Sequence, residues 1–185
     1  MKNEEIKNCV NVLKKGGIIL YPTDTVWGIG CDATNDIAVK KIYELKKRSK
    51  SKALIILISE YESLYRLVDQ VSPNAYKYIN SSIPTTVIFD NVKNISKFAI
   101  ATNGSAAIRL PKDDFCKKII DRLGKPIVST SANISGDQNP KTFDEIDITL
   151  KDNVNYIVNL RHSEIMEKPS SIIKIFDDGK IEKIR

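Results

Sequence analysis

Five short segments carry residue types that could do chemistry. They are Pro22-Thr23-Asp24-Thr25, Lys46-Lys47-Arg48, Pro84-Thr85-Thr86, Ile108-Arg109-Leu110-Pro111 and Ser129-Thr130-Ser131-Ala132-Asn133. Each ends or interrupts an apolar run with hydroxyls or a positive charge. Arg109 is the sharpest, because an unpaired guanidinium inside an apolar strand is costly. Either it points to the solvent face of an alternating strand, or its planar fork of donors binds a phosphate or carboxylate. The run 129–133 follows a strand with three hydroxyls and an amide. That suits a turn or a cradle for phosphate or ribose. A serine nucleophile would need an activating base, and none accompanies it. Lys46 and Arg48 end a helix, where the default reading is a solvated face that complements the helix dipole. Thr23, Thr25 and Thr86 say little alone. Asp24 reads as a turn residue rather than a magnesium ligand.

The sequence has no GxxxxGK[ST], GxGxxG or HExxH motif. Cations and hydroxyls without an obvious general base suit phosphate chemistry driven by positioning and charge stabilisation.

The elements that must position these residues fit in 185 residues. That length buries the core of one α/β domain, here residues 1–185, and is too short for two large ones. With 42% hydrophobic and 28% charged residues, the composition excludes collagen-like, coiled-coil and largely disordered chains. The apolar runs fall far short of a membrane span. The polar start Met1-Lys2-Asn3-Glu4-Glu5 does not read as a signal peptide, so a cytoplasmic protein is expected. Cys9, Cys31 and Cys116 are scattered without CxxC spacing and read as buried free thiols. The lone His162 excludes a His-rich metal centre and reads as a surface-loop residue. A net charge of +6 suggests anionic ligands.

Apolar periodicity predicts helices over 4–15, 36–47 (capped by Asn35 or Thr34), 60–69, 72–80, 113–123 and 142–149. Strands are predicted over 17–21, 53–58, 85–89, 106–110, 127–129, 156–159 and 171–176, with 181–184 returning as a hairpin after Asp177-Asp178-Gly179-Lys180. Residues 23–30 read as a polar loop with two glycines. Interleaved but not strictly alternating elements predict a twisted mixed sheet flanked by helices.

The order of the segments resembles the YrdC/TsaC family, the threonylcarbamoyl-AMP synthases. The matching runs begin with Gly17-Ile18-Ile19-Leu20-Tyr21-Pro22-Thr23-Asp24-Thr25-Val26-Trp27-Gly28-Ile29-Gly30-Cys31-Asp32 and Ile42-Tyr43-Glu44-Leu45-Lys46-Lys47-Arg48. They continue with Ala107-Ile108-Arg109-Leu110-Pro111, Pro126-Ile127-Val128-Ser129-Thr130-Ser131-Ala132-Asn133-Ile134-Ser135-Gly136, Pro169-Ser170-Ser171-Ile172-Ile173 and Ile184-Arg185. The family's KxR…SxN pattern falls on Lys46, Arg48, Ser131 and Asn133.

The resemblance implies a single α/β domain, of the short form, with a cationic cavity on one face. It implies that L-threonine, bicarbonate and ATP give threonylcarbamoyl-AMP and pyrophosphate. The product would serve N6-threonylcarbamoylation of tRNA adenosine 37, through separate transfer proteins and with tRNA itself a possible partner. Lys46, Arg48 and Arg109 would be catalytic. ATP would be held by Lys46, Arg48, Thr86, Ser129, Ser131, Asn133, Ser135 and Arg185. Threonine would be held by Thr23, Thr25, Arg109 and Ser171. Mg2+ would arrive with ATP, with no metal ligand from the protein.

Three departures stand out. Ile83 replaces a family glycine, which restricts any left-handed backbone there. Ser49 and Ala53 replace prolines, which predicts a more mobile 49–52 loop. Rival readings are a non-catalytic RNA- or tRNA-binding module, whose affinity would fall steeply with salt, a carbamoyl-AMP former of the HypF type, and a regulatory protein that has kept only the pocket.

Overall fold

The computed structural model describes residues 1–49, 54–176 and 180–185. Residues 50–52 of the predicted 49–52 loop, the first residue of the predicted 53–58 strand and most of the predicted 177–180 turn lie outside the described residues.

The chain runs α1 (Lys2–Lys14), β1 (Ile19–Tyr21), β2 (Gly28–Asp32), α2 (Asp36–Leu45), β3 (Ile55–Leu57), a 3-10 turn (Tyr61–Arg66), α3 (Pro73–Ile79) and β4 (Thr85–Phe89). It continues through β5 (Ala106–Arg109), α4 (Asp114–Leu123), β6 (Ile127–Ser131), α5 (Ile148–Asp152), β7 (Tyr156–Ile157), β8 (Ser171–Ile175) and β9 (Ile181–Lys183). One nine-stranded sheet takes the order β7-β1-β2-β6-β3-β5-β4-β8-β9. Three pairings are parallel and five antiparallel, the mixed sheet that interleaved elements predict.

Helix starts follow their caps. Asn35 Oδ1 accepts from the amides of Ile37 and Ala38, and Asp113 Oδ1 accepts from Phe115 and Cys116. The predicted 142–149 helix is instead α5, five residues long. Asp147 caps it by accepting from the Thr149 amide, and a cap sits outside the helix it starts. The predicted 60–69 helix narrows to the 3-10 turn.

The larger correction is β2. Residues 23–30 read as a loop, yet Gly28-Ile29-Gly30-Cys31-Asp32 is a fully buried strand between β1 and β6. Glycine is tolerated there because the Tyr21 ring lies over it. A Cβ on Gly30 would stand 2.8 Å from Tyr21 Cε1 and 2.6 Å from the Val128 carbonyl oxygen.

Each face of the sheet has its own core. Leu20, Ile29, Ile56, Val87, Ile108 and Val128 pack with α2 and α3. Ile19, Tyr21, Leu57 and Ile127 pack with α1 and α4. Cys9, Cys31 and Cys116 are buried free thiols, as expected. His162 is not a plain surface residue: its ring stacks on Phe143 at 3.8 Å and 5°, with Trp27 tilted against both. Among the described residues no helix is long and apolar enough to cross a membrane.

Candidate functional site

Residues directly opposite in a sheet share a face. The register therefore aligns Gly28 with Ser131, Gly30 with Ser129, Ser129 with Ile55, Ile55 with Ala107, and Ala107 with Ile88. Arg109 is opposite Thr86, which is opposite Ile172. This is the face that α1 and α4 cover at its other end. Beyond them it bounds a cavity of about 220 Å³ lined by Thr23, Thr25, Gly28, Arg48, Ile55, Ile88, Ala107, Arg109, Ser129, Thr130, Ser131, Asn139, Ser170, Ile172 and Arg185, among others. Three arginines and no Asp or Glu are among the described lining residues.

Arg109 takes the non-solvent reading. It is 3% exposed, and its Nη1 donates to Asp24 Oδ1 at 2.5 Å, while Nη2 lies 3.4 Å from Thr25 Oγ1. Its Nε is buried with no partner among the described residues. Asp24 Oδ2 also accepts from the Lys112 amide at 2.9 Å. Asp24 is thus the counter-charge of a buried arginine, which goes beyond the turn role read from sequence. No group of three or more His, Cys, Asp or Glu among the described residues could hold a metal ion.

Thr23 and Thr25 build the turn that carries Asp24. Thr23 Oγ1 donates to the Val26 carbonyl at 2.7 Å and accepts from the Thr25 amide at 3.0 Å. With its only proton used, it must accept in its 2.9 Å contact with Thr25 Oγ1. Thr25 therefore presents lone pairs toward Arg109 and the cavity.

Helix α2 ends in a left-handed residue, Lys47, with φ 49°. The Arg48 amide returns to the Tyr43 carbonyl at 2.9 Å, closing a Schellman-type end. That turn separates the two cations of the KxR segment. Arg48 lines the cavity. Lys46 is 1% exposed and outside the lining. Its Nζ donates to the carbonyl oxygens of Ser131 and Asn133 and, at 3.3 Å, to Asn133 Oδ1. A solvated face is the wrong reading for Lys46. Burial, reinforced by the Arg48 charge, lowers its pKa to about 7. Burial lowers the Arg48 and Arg185 values as well.

Of the other residues singled out from sequence, Ser129, Ser131 and Arg185 line the cavity, while Thr86, Asn133, Ser135 and Ser171 do not. Asn133 is tied internally: Oδ1 accepts from Ser131 Oγ at 2.6 Å, and Nδ2 donates to the Asp137 carbonyl at 2.7 Å. The Ser135 amide donates to the Lys46 carbonyl. Thr86 lies beneath the lining, its hydroxyl 2.8 Å from Ser170 Oγ. Ser171 pairs with Thr85, which puts it on the opposite face. Its neighbour Ser170 lines the cavity instead and receives Arg185 Nε on its carbonyl at 3.0 Å. The alternation of β8 signals that choice, whereas nothing in the spacing signals Asn139. Ile83, for its part, is 65% exposed and outside the left-handed region, so the missing glycine strains nothing there.

The fold is thus an α/β protein with a cavity on one face of a mixed sheet, and Arg48, Arg109 and Arg185 are among its lining residues. The Sua5_yciO_yrdC family, described as "Telomere recombination", matches residues 11–185. A threonylcarbamoyl-AMP synthase of Saccharophagus degradans is 37% identical over 71% of this chain and 70% of its own length. One of Vibrio parahaemolyticus is 32% identical over 91% and 93%. In fold, the chain is similar to P. abyssi Sua5 complexed with L-threonine, with TM-score 0.87 and 24% identity. That match covers 100% of this chain and 54% of Sua5, so the chain spans about half of that protein. The chain belongs to the Sua5/YciO/YrdC family.

Proposed function

We infer that this chain is a threonylcarbamoyl-AMP synthase, a nucleotidyltransferase that joins L-threonine, bicarbonate and ATP. The observation that carries the reading within the family is the convergence of Arg48, Arg109 and Arg185 on one hydroxyl-lined cavity. The threonine amine and bicarbonate give a carbamate and water. A carbamate oxygen attacks the α-phosphorus of ATP, the bond from that phosphorus to the α,β-bridging oxygen breaks, and pyrophosphate leaves with that oxygen. The substrate supplies the nucleophile, so the protein needs no activated serine. It needs fixed positive charge where the phosphates crowd.

Arg48 and Arg185 take the triphosphate, with Ser129 and Ser131 beside them. Arg109 faces the threonine carboxylate, its charge tempered by Asp24. Thr25, with lone pairs toward the cavity, accepts from the amino acid. Thr23, at the cavity wall, holds Thr25, and Thr86 acts from behind by holding Ser170. Mg2+ enters as part of the ATP substrate, held by phosphate oxygens and water. The product passes to separate transfer proteins that modify tRNA adenosine 37, in the cytoplasm. Pyrophosphate release from ATP, bicarbonate and Mg2+ tests the reading: it rises on adding L-threonine. Release indifferent to threonine contradicts it.

A further inference from the structure

The KxR…SxN residues divide into one that faces the cavity as a cation and one that cannot. Lys46 has three N–H donors and three acceptors: Ser131 O, Asn133 O and Asn133 Oδ1. It has no carboxylate among these partners, and it lies outside the cavity lining. The link runs both ways, because the Lys46 carbonyl accepts from the Ser135 amide at 2.8 Å. Asn133 is held in turn by Ser131 Oγ and by the Asp137 carbonyl. Reaching a phosphate would require the ammonium to abandon these acceptors inside the protein, where unpaired carbonyls are costly.

We propose that Lys46 is a positioning residue: its saturated ammonium pins the 131–135 segment to the end of α2, and the phosphate-facing cation of the motif is Arg48. This rests on the synthase reading for what is positioned, namely Ser131 at the ATP site. It departs from the direct catalytic and ATP-binding role that the resemblance implies for Lys46. The Schellman-type turn at Lys47 is what makes the division, sending two cations two residues apart to different surroundings.

Two measurements test the proposal. The first is amide hydrogen exchange on Lys46→Met, which needs no substrate. Exchange of the Ala132 and Ser135 amides, bonded to the Trp27 and Lys46 carbonyls, accelerates at least tenfold, while the α1 and α4 amides keep wild-type protection. Unchanged protection of Ala132 and Ser135 overturns the proposal. If Lys46→Met unfolds, the second measurement decides alone: a crystal structure of the wild-type protein with a non-hydrolysable ATP analogue. Lys46 Nζ remains on the two carbonyls and Arg48 contacts a phosphate; Lys46 Nζ on a phosphate oxygen overturns the assignment. Kinetics then separate positioning from direct contact. Lys46→Met lowers kcat at least tenfold with KM for ATP within threefold of wild type, and Lys46→Met/Asn133→Ala is no worse than Lys46→Met. Multiplicative losses in the double variant, or a KM rise as large as that of Arg48→Met, count against it. Wild-type protein without threonine-dependent turnover defeats the synthase reading, while the exchange result on Lys46→Met still stands or falls by itself.

Discussion

Arg109 Nη1 and Asp24 Oδ1 form an ion pair whose side chains are only 3% and 9% exposed. Loop and strand are thereby locked together at the floor of the cavity. Removing one partner of such a pair strands a buried charge, which costs about 3–5 kcal/mol, whereas replacing both by apolar groups is close to neutral. Asp24→Ala therefore lowers the urea midpoint strongly, and Asp24→Leu/Arg109→Met recovers most of it. Neither variant recovers threonine-dependent turnover. A stable, fully active double variant would remove Arg109 from the site.

Lys46 links pH to stability with a definite sign. Its folded pKa is lowered to about 7 from 10.5. Between those values the unfolded chain holds a proton that the native state has released, so this residue makes stability rise with pH from about 7 toward 10.5. Below about 7 both states are protonated and the slope vanishes. Activity moves the opposite way, because the ammonium that pins 131–135 is lost as pH rises through 7. Urea titrations across this range show the slope in the wild type and its loss in Lys46→Met.

Lys47 occupies a left-handed conformation at φ 49°. Glycine takes that conformation without the steric cost an L side chain meets. Lys47→Gly accordingly raises stability by about 0.5–1 kcal/mol, net of the added freedom of the unfolded chain. It leaves KM for ATP unchanged, since Lys47 is not among the cavity-lining residues. Thermal melts read the first effect and steady-state kinetics the second.

Thr86 touches the cavity lining through Ser170. Its hydroxyl meets Ser170 Oγ at 2.8 Å, and Ser170 carries Arg185 on its carbonyl. Thr86→Val removes one hydrogen bond from Ser170 Oγ, which keeps its 3.4 Å contact with Arg185 Nη2, at about 0.5–1.5 kcal/mol. Its KM for ATP shifts in the same direction as that of Arg185→Ala but by less, with Arg185→Ala raising it about tenfold, a loss of about 1.4 kcal/mol. An unchanged KM in Arg185→Ala removes that residue from the nucleotide site.

The legible parts of the molecule were those with strong periodicity or strong local chemistry. The strand Thr85–Phe89 and the helix Asp114–Leu123 read directly, because an apolar run and a helical apolar face are local signals. Strand Gly28–Asp32 did not, since its glycines make sense only against the Tyr21 ring from the neighbouring strand. The site was readable as a set of segments but not as a set of contacts. Ser170, just before β8, and Ser171, its first residue, differ in which one the chain turns to the cavity, and Lys46 looks like any helix-ending lysine until the 131–135 segment folds onto it.

The proposed synthase reaction brings three substrates together in this cavity to form one adenylate. The most direct measurement supplies ATP, Mg2+, L-threonine and 13C-labelled bicarbonate and weighs the product. The expected product is a threonylcarbamoyl-adenylate that carries one heavy carbon, matched by released pyrophosphate and absent without threonine. An adenylate without the label, or pyrophosphate released equally without threonine, would contradict it.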